Sequence, residues 1–189
     1  GESPCSFRGG VILYNYIIIK KDNNMEKLIY MDNAATTSTA PEVVSAMLPF
    51  FTEYYGNPSS VYNFAQKSKM AIEDAREIIA DSIGAAKSYE IYFTGGGSES
   101  DNWALKSAAF GLRDKGNHII TTKIEHHAIL NTCAFLEKNG FEITYLDVDS
   151  EGFVSLEDVK IAITDKTILI SVMFANNEIG TIEPVREIG

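Results

Sequence analysis

The sequence predicts an α/β protein built as three layers around an open, largely parallel sheet. From residue 89 onward, apolar runs of strand length alternate with segments of helical length. Gly84, Gly116 and Gly140 stand where successive helices would run out. The last strand candidate, TILISVMF at 167–174, is almost continuously apolar, as a strand covered by helices on both faces should be.

In chain order, residues 27–31 read as a short strand ending in a loop of small and polar residues at 32–37. Small side chains there let another group sit against the backbone. Over 40–55, Val43, Val44, Met47, Leu48 and Phe51 recur at helical spacing, with Pro41 at a tolerated early position and Pro49 placed to bend or shorten the helix. GNPSS at 56–60 interrupts the pattern and is expected to cap a second helix, whose Phe64, Ala65, Ile72, Ala75, Ile79 and Ile83 share one side. Strands over 89–93, 118–122, 141–148 and 167–174 then alternate with helices over 98–115, 126–139 and 155–164. Ser155-Leu156-Glu157-Asp158 opens the last of these helices as a capping sequence. Right-handed crossovers between such strands leave helices on both faces, and ligands bind beyond the carboxyl ends of the strands. The loops expected on that rim are 95–98, 123–127 and 175–180.

The first of them carries the plainest chemistry. In YFTGGGSESDN (92–102), three glycines run into Ser98-Glu99-Ser100 at the head of a helix. Glycine permits a sharp bend and close backbone approach, and a helix start offers unpaired N–H groups and a positive dipole end, so the segment suits a phosphate. A flexible strand-to-helix turn is the equally simple reading. Spacing narrows the ligand: no Lys-Ser or Lys-Thr follows the glycines, as a triphosphate loop requires, and GGGSES lacks the G-x-G-x-x-G order of a dinucleotide site. A single phosphate on a phosphorylated cofactor remains.

The 189 residues, 45% of them hydrophobic, suffice for one domain or a large part of one. The net charge of −10 is scattered, which argues against a nucleic-acid surface. With only Cys5 and Cys133, neither a disulfide framework nor a four-thiolate zinc site is available, and a reducing cytoplasm fits. The apolar run at 11–19 is too short to span a bilayer, and Lys20-Lys21 follows it where a secretory signal needs small residues. Residues 1–24 read as an upstream or non-native extension ahead of Met25.

His126 and His127 are neighbours, about 100° apart on a helix, so they do not form the i, i+4 pair that shares a metal, and no metal is expected. His127 is expected to cap the helix or sit exposed. Cys133, spaced with Ile129 and Leu136, reads as core. Asn176-Asn177 also reads as an ordinary turn, with Glu178 as a capping carboxylate.

Five motifs then stand in register: MDNAATT (31–37), GNPSS (56–60), FTGGGSESDN (93–102), IEHHAILNTC (124–133) and NNEIGTIEPV (176–185). In order and spacing they resemble the cysteine desulfurases, class V members of the fold-type I enzymes that use pyridoxal 5'-phosphate (PLP), over about residues 27–189. The resemblance implies the fold-type I large domain and a role for each matched residue. Gly97 and Ser98 would hold the cofactor phosphate, His126 would stack on its ring and move protons, and Asn177 would bond the ring hydroxyl. Asn33 and Ala34 would line the substrate side. The loop here reads Gly96-Gly97-Ser98-Glu99 where the family usually has Gly-Ala-Thr-Glu. After GNPSS, Tyr62, Asn63, Phe64 and Ala65 replace the family's frequent histidine and Phe-Gly.

The implied reaction converts L-cysteine to L-alanine and passes the sulfur to an enzyme cysteine as a persulfide. It implies a cytoplasmic homodimer that serves sulfur-acceptor proteins, for example in iron–sulfur cluster assembly, without direct contact with nucleic acid or membrane. The lysine that binds the cofactor covalently lies in a Ser-x-His-Lys context in this family, and no His-Lys pair occurs here. The expectation is an N-terminal fragment, inactive alone, with 25–84 as an N-terminal helical segment and 85–189 as the first part of the PLP-binding large domain. The alternatives are another class V enzyme, such as a selenocysteine lyase or aminotransferase, and a non-catalytic assembly module.

Overall fold

The computed structural model describes residues 18–22 and 25–189, and the chain divides at Ser68/Lys69 into two compact units. In the first, β1 (Ile18–Asp22) and β2 (Met25–Ile29) pair antiparallel, with Ile18 opposite Ile29. The strand expected over 27–31 therefore lies two residues earlier. β1 also puts strand into the expected 1–24 extension, the rest of which lies outside the described residues. α1 (Pro41–Met47) and α2 (Pro49–Thr52) are separated at Pro49, as its missing N–H dictates. GNPSS does not cap the next helix. Its Asn57 instead closes a local turn, with Oδ1 accepting from Ser59 N at 3.0 Å and the carbonyl accepting from Ser60 N at 2.9 Å. α3 (Asn63–Ile83) begins three residues later.

The second unit takes up the remainder of α3, which Gly84 ends in the left-handed region at φ 71°, a conformation open to glycine. The strand expected over 89–93 does not form. Ser88–Glu90 is a single 3-10 turn, and Ile91 is extended but bonded outside any ladder, its N–H to Ser88 and its carbonyl to the Arg76 guanidinium. An extended segment becomes a strand only beside a partner, and no described strand pairs with it.

Three strands do form: β3 (His118–Thr122), β4 (Glu142–Leu146) and β5 (Thr167–Ser171), in the order β4-β3-β5 with both pairings parallel. Alternation along β3 sends Ile119 and Ile120 to opposite faces. Ile119 packs with Leu105 and Ala109 of α4 (Gly97–Gly111) and with Ile129, Cys133 and Leu136 of α5 (His127–Glu137). Ile120 packs with Leu146, Val154 and Val159, and partly buried Ala162 and Ile188 extend this core, from α6 (Leu156–Ala162) and α7 (Val185–Ile188). Each fully buried aliphatic side chain here contributes roughly 1.5–3 kcal/mol relative to exposure. Helices therefore cover both faces of a parallel sheet, as the sequence predicts.

The differences are local. α4 stops at Gly111, short of the expected 115, and Gly116 serves packing rather than capping: a Cβ there would lie 2.2 Å from the Lys166 carbonyl oxygen. Ser155 caps α6 as expected, its Oγ accepting from Asp158 N at 3.2 Å. α7 has no counterpart in the sequence reading. β5 ends at Ser171 instead of 174 because Met173 N donates to a side chain, the Glu125 carboxylate, rather than to a ladder. The third histidine, His118, is buried in the sheet. Its Nδ1 lies 2.8 Å from Thr167 Oγ1 and its Nε2 2.8 Å from Thr144 Oγ1, so one ring ties β3 to both neighbours.

Candidate functional site

β3 lies between β4 and β5, and the connections through α5 and α6 run on opposite faces, so chain direction across the sheet changes at β3. Crevices form at such a point, beyond the carboxyl ends. The loops leaving β3 and β5 meet there through two hydrogen bonds. Met173 N donates to Glu125 Oε1 at 2.8 Å, and Asn176 Nδ2 donates to the Ile124 carbonyl at 3.2 Å.

Asn176 organises the β5 loop. It is buried, and its Oδ1 accepts from Glu178 N at 2.8 Å and Ile179 N at 3.1 Å, while Gly180 closes the turn at φ 80°. Asn177, the residue singled out from the sequence, is exposed and donates to Glu178 Oε1 at 3.1 Å. The loop's far end is anchored by Glu183, whose buried Oε2 accepts from Val154 N at 3.0 Å. Val154 belongs to the turn around Asp149, where the Phe153 and Glu151 amides hold the Asp149 carboxyl below its ordinary range.

On the β3 loop, His126 is the residue before α5, and its Nδ1 accepts from Ala128 N at 3.1 Å. Of the two outcomes expected of His127, capping or exposure, it takes exposure, and the cap is His126. That bond makes Nδ1 an acceptor and restrains the ring, while the residue as a whole stays exposed. His127 is also exposed. Cys133 is fully buried, and burial pushes its thiol up to about 11, with Glu137 and Glu125 adding to the shift. It is core, as its spacing predicts.

The glycine loop starts α4, a helix of 15 residues. Glu99 Oε2 accepts from Gly95 N at 2.5 Å, and Ser100 Oγ lies 2.6 Å from Thr94 Oγ1. The amides of Glu99 and Ser100 return to the Gly96 carbonyl. Among the described residues, the Gly97 and Ser98 amides and the Ser98 hydroxyl have no protein acceptor, and both residues are exposed. That is a set of donors at the positive end of a helix, the arrangement that holds an anion. Glu99 sets one carboxylate against it. α4 reaches the same end of the sheet as the other two loops: burial raises the Glu125 carboxyl, and the charge of Asp101, one turn into the helix, adds to the rise.

Ser98, His126 and Asn177 thus belong to three segments gathered at one rim, although among the described residues their side chains make no hydrogen bond to one another. Asn33 and Ala34 lie in the other compact unit, exposed, in a turn where the Ala35 and Thr36 amides return to the Asp32 carbonyl at 3.2 and 3.4 Å. Two residues at the rim escaped the sequence reading. Asn176 was indistinguishable from its neighbour, and Glu125 finds its partner 48 positions away at Met173. The one cue was a carboxylate directly after the apolar Ile124 at the exit of a strand.

Together these features define an α/β protein with unpartnered donors at a helix start and a histidine-bearing loop at the carboxyl rim of a parallel sheet. The family model described as aminotransferase class-V matches residues 29–189. The chain is 66% identical over 165 residues to cysteine desulfurase IscS of Clostridium botulinum (strain Kyoto / Type A2), covering 87% of this chain and 41% of that protein. It is 62% identical to cysteine desulfurase IscS of Methanosarcina thermophila, covering 86% of this chain and 40% of that protein. Among solved structures, a NifS-like protein superposes with a TM-score of 0.80 at 41% identity, covering 83% of this chain and 43% of that one. A structure described as SspA in complex with cysteine gives 0.80 at 45% identity, covering 84% and 46%. The chain belongs to the aminotransferase class-V family. It spans about two fifths of the length of the curated relatives it matches.

Proposed function

We propose that this chain carries the cofactor seat of a PLP-dependent cysteine desulfurase, which takes L-cysteine as substrate and passes its sulfur to an enzyme cysteine. The unpartnered amides of Gly97 and Ser98, with the Ser98 hydroxyl beside them at the start of α4, carry this reading. They fit a phosphate group in kind and number. When bound, PLP supplies an electron sink that makes the Cα proton of an amino acid removable.

The chain's own residues do the rest of the work at this end. Gly97 and Ser98 bind and orient the phosphate. His126, held through Nδ1, offers its ring face for stacking and its Nε2 for holding or moving a proton. Asn177 would donate to the ring hydroxyl. L-cysteine as substrate is supported by the relatives named cysteine desulfurase and by the cysteine bound in the SspA structure. A homodimer, sulfur-acceptor partners, a role in iron–sulfur cluster assembly and a cytoplasmic setting belong to the same reading. Among the described residues, no helix is long and apolar enough to cross a membrane.

The experiment is a titration of the purified chain with PLP, followed by the visible absorbance of the bound cofactor. Saturable binding is expected, weakened about tenfold or more in Ser98→Ala and in His126→Ala, the scale of one lost charge-assisted or stacking contact. Equal absorbance changes in all three proteins would remove the cofactor seat from these residues. Sulfide release from L-cysteine above the free-cofactor background would contradict the expectation that the chain is inactive alone.

A further inference from the structure

Glu125 is a carboxylate with 7% of its surface exposed, at the rim of a sheet and beside the exposed His126. A buried carboxylate is costly unless it is bonded, so its partners report what holds it there. One oxygen, Oε1, accepts both from Thr122 Oγ1 at 3.0 Å and from Met173 N at 2.8 Å. The first bond fixes the side chain against the end of β3. The second reaches across to the chain leaving β5 and takes the amide on which the ladder would otherwise continue. Asn176, also 7% exposed, closes the same junction from the other side through the Ile124 carbonyl.

We propose that Glu125 is a positioning residue, a clamp whose carboxylate locks the His126 loop to the Asn177 loop and so sets the place of the imidazole at the rim. The role rests on the cofactor-seat reading above. Two lines of geometry support it. Glu125 and His126 are consecutive, so a side chain fixed at both Thr122 and Met173 leaves the next residue little freedom. The His126 Nδ1 bond to Ala128 N then fixes the ring from the helix side. Burial raises the carboxyl above its ordinary value, the charges of Asp101 on α4 and Glu183 on the β5 loop add to the rise, and the two donors oppose it; Cys133 on α5 feels the same carboxylate. Burial and those acidic neighbours all oppose the charge, and the Met173 and Thr122 donors are what favour it.

The test uses Glu125→Ala, Glu125→Gln and His126→Ala in the full 189-residue chain, with two readouts. The first, without cofactor, is hydrogen exchange at the Met173 and Ala128 amides. The second is the affinity for PLP. Glu125→Ala is expected to speed exchange at both amides about tenfold and to weaken PLP binding by a similar factor, the scale of one lost buried hydrogen bond. Glu125→Gln retains an acceptor oxygen at the same reach and is expected to hold both readouts within about twofold of wild type. A purely structural side chain would lower stability without this rescue pattern. Unchanged exchange at Ala128 in Glu125→Ala, or unchanged PLP affinity where His126→Ala loses it, would overturn the clamp. Should Glu125→Ala no longer unfold cooperatively, Glu125→Asp keeps the charge but withdraws it by one methylene and carries the same expectation. If wild type itself shows no PLP binding, the cofactor seat falls while amide exchange still decides the clamp.

Discussion

Asn176 and Asn177 are the same side chain at adjacent positions, with opposite roles. Asn176 is buried and uses both ends of its amide, donating to Ile124 and accepting from Glu178 and Ile179; Asn177 faces outward. Nothing in the dipeptide distinguishes them, because burial is decided by which residue faces the β3 loop. Cys133 is the contrasting case, since its spacing with Ile129 and Leu136 marked it as core and the structure buries it. Its thiol stands near 11 against an ordinary value of 9.0, so almost no thiolate is present at neutral pH. Iodoacetamide at about pH 8, with the modified peptide mapped by mass spectrometry, should therefore label Cys133 only as fast as the chain unfolds. Labelling of the folded chain at the rate of a free thiol would contradict its burial. The sign for stability follows from linkage. A thiol whose folded value is raised leaves stability unchanged below its ordinary value and lowers it as pH climbs toward the folded one.

At the scale of elements, capping and periodicity read well wherever the deciding contacts are local. The Ser155 cap and the break at Pro49 each depend on atoms within about one helical turn. The misread boundaries share the opposite property. Residues 89–93 have strand composition but no neighbouring strand among the described residues, and β5 is cut short by a carboxylate from another loop. Gly116 looked like a helix stop and is instead a contact, which gives a paired prediction. Gly116→Ala should cost about 1–3 kcal/mol, because the new methyl would meet the Lys166 backbone and overpack it. Gly111→Ala, with nothing within 4 Å of the added carbon and a helical backbone, should gain up to about 1 kcal/mol. Urea midpoints at unchanged slope would measure both, and a neutral Gly116→Ala would mean that the close approach is not as drawn.

For the whole molecule, two carboxylates respond to pH in opposite senses. Burial raises the Glu125 carboxyl above its ordinary 4.5, so the folded state binds the proton more tightly and the unfolded state releases it first. Its contribution to stability is therefore highest below the ordinary value and falls as pH rises through the raised one. Asp149, held below 3.8 by the Phe153 and Glu151 amides, contributes stability above its ordinary value and loses it as pH falls through its lowered one. Comparing melting temperatures of wild type and Glu125→Gln isolates the first effect. Glu125→Gln should gain on wild type as pH rises above the ordinary 4.5, the side on which Glu125 ionises. A difference that stays flat across that range would count against the burial of this group. The chain by itself determined the alternation of strands and helices, the glycine-led helix start and the five motifs that mark the family, because periodicity, capping and local sequence all act within a few residues. Only the tertiary structure decided which asparagine is buried, which histidine caps α5, where β5 ends and what Glu125 holds, because each depends on a partner brought alongside by the β4-β3-β5 sheet order and the packing around it.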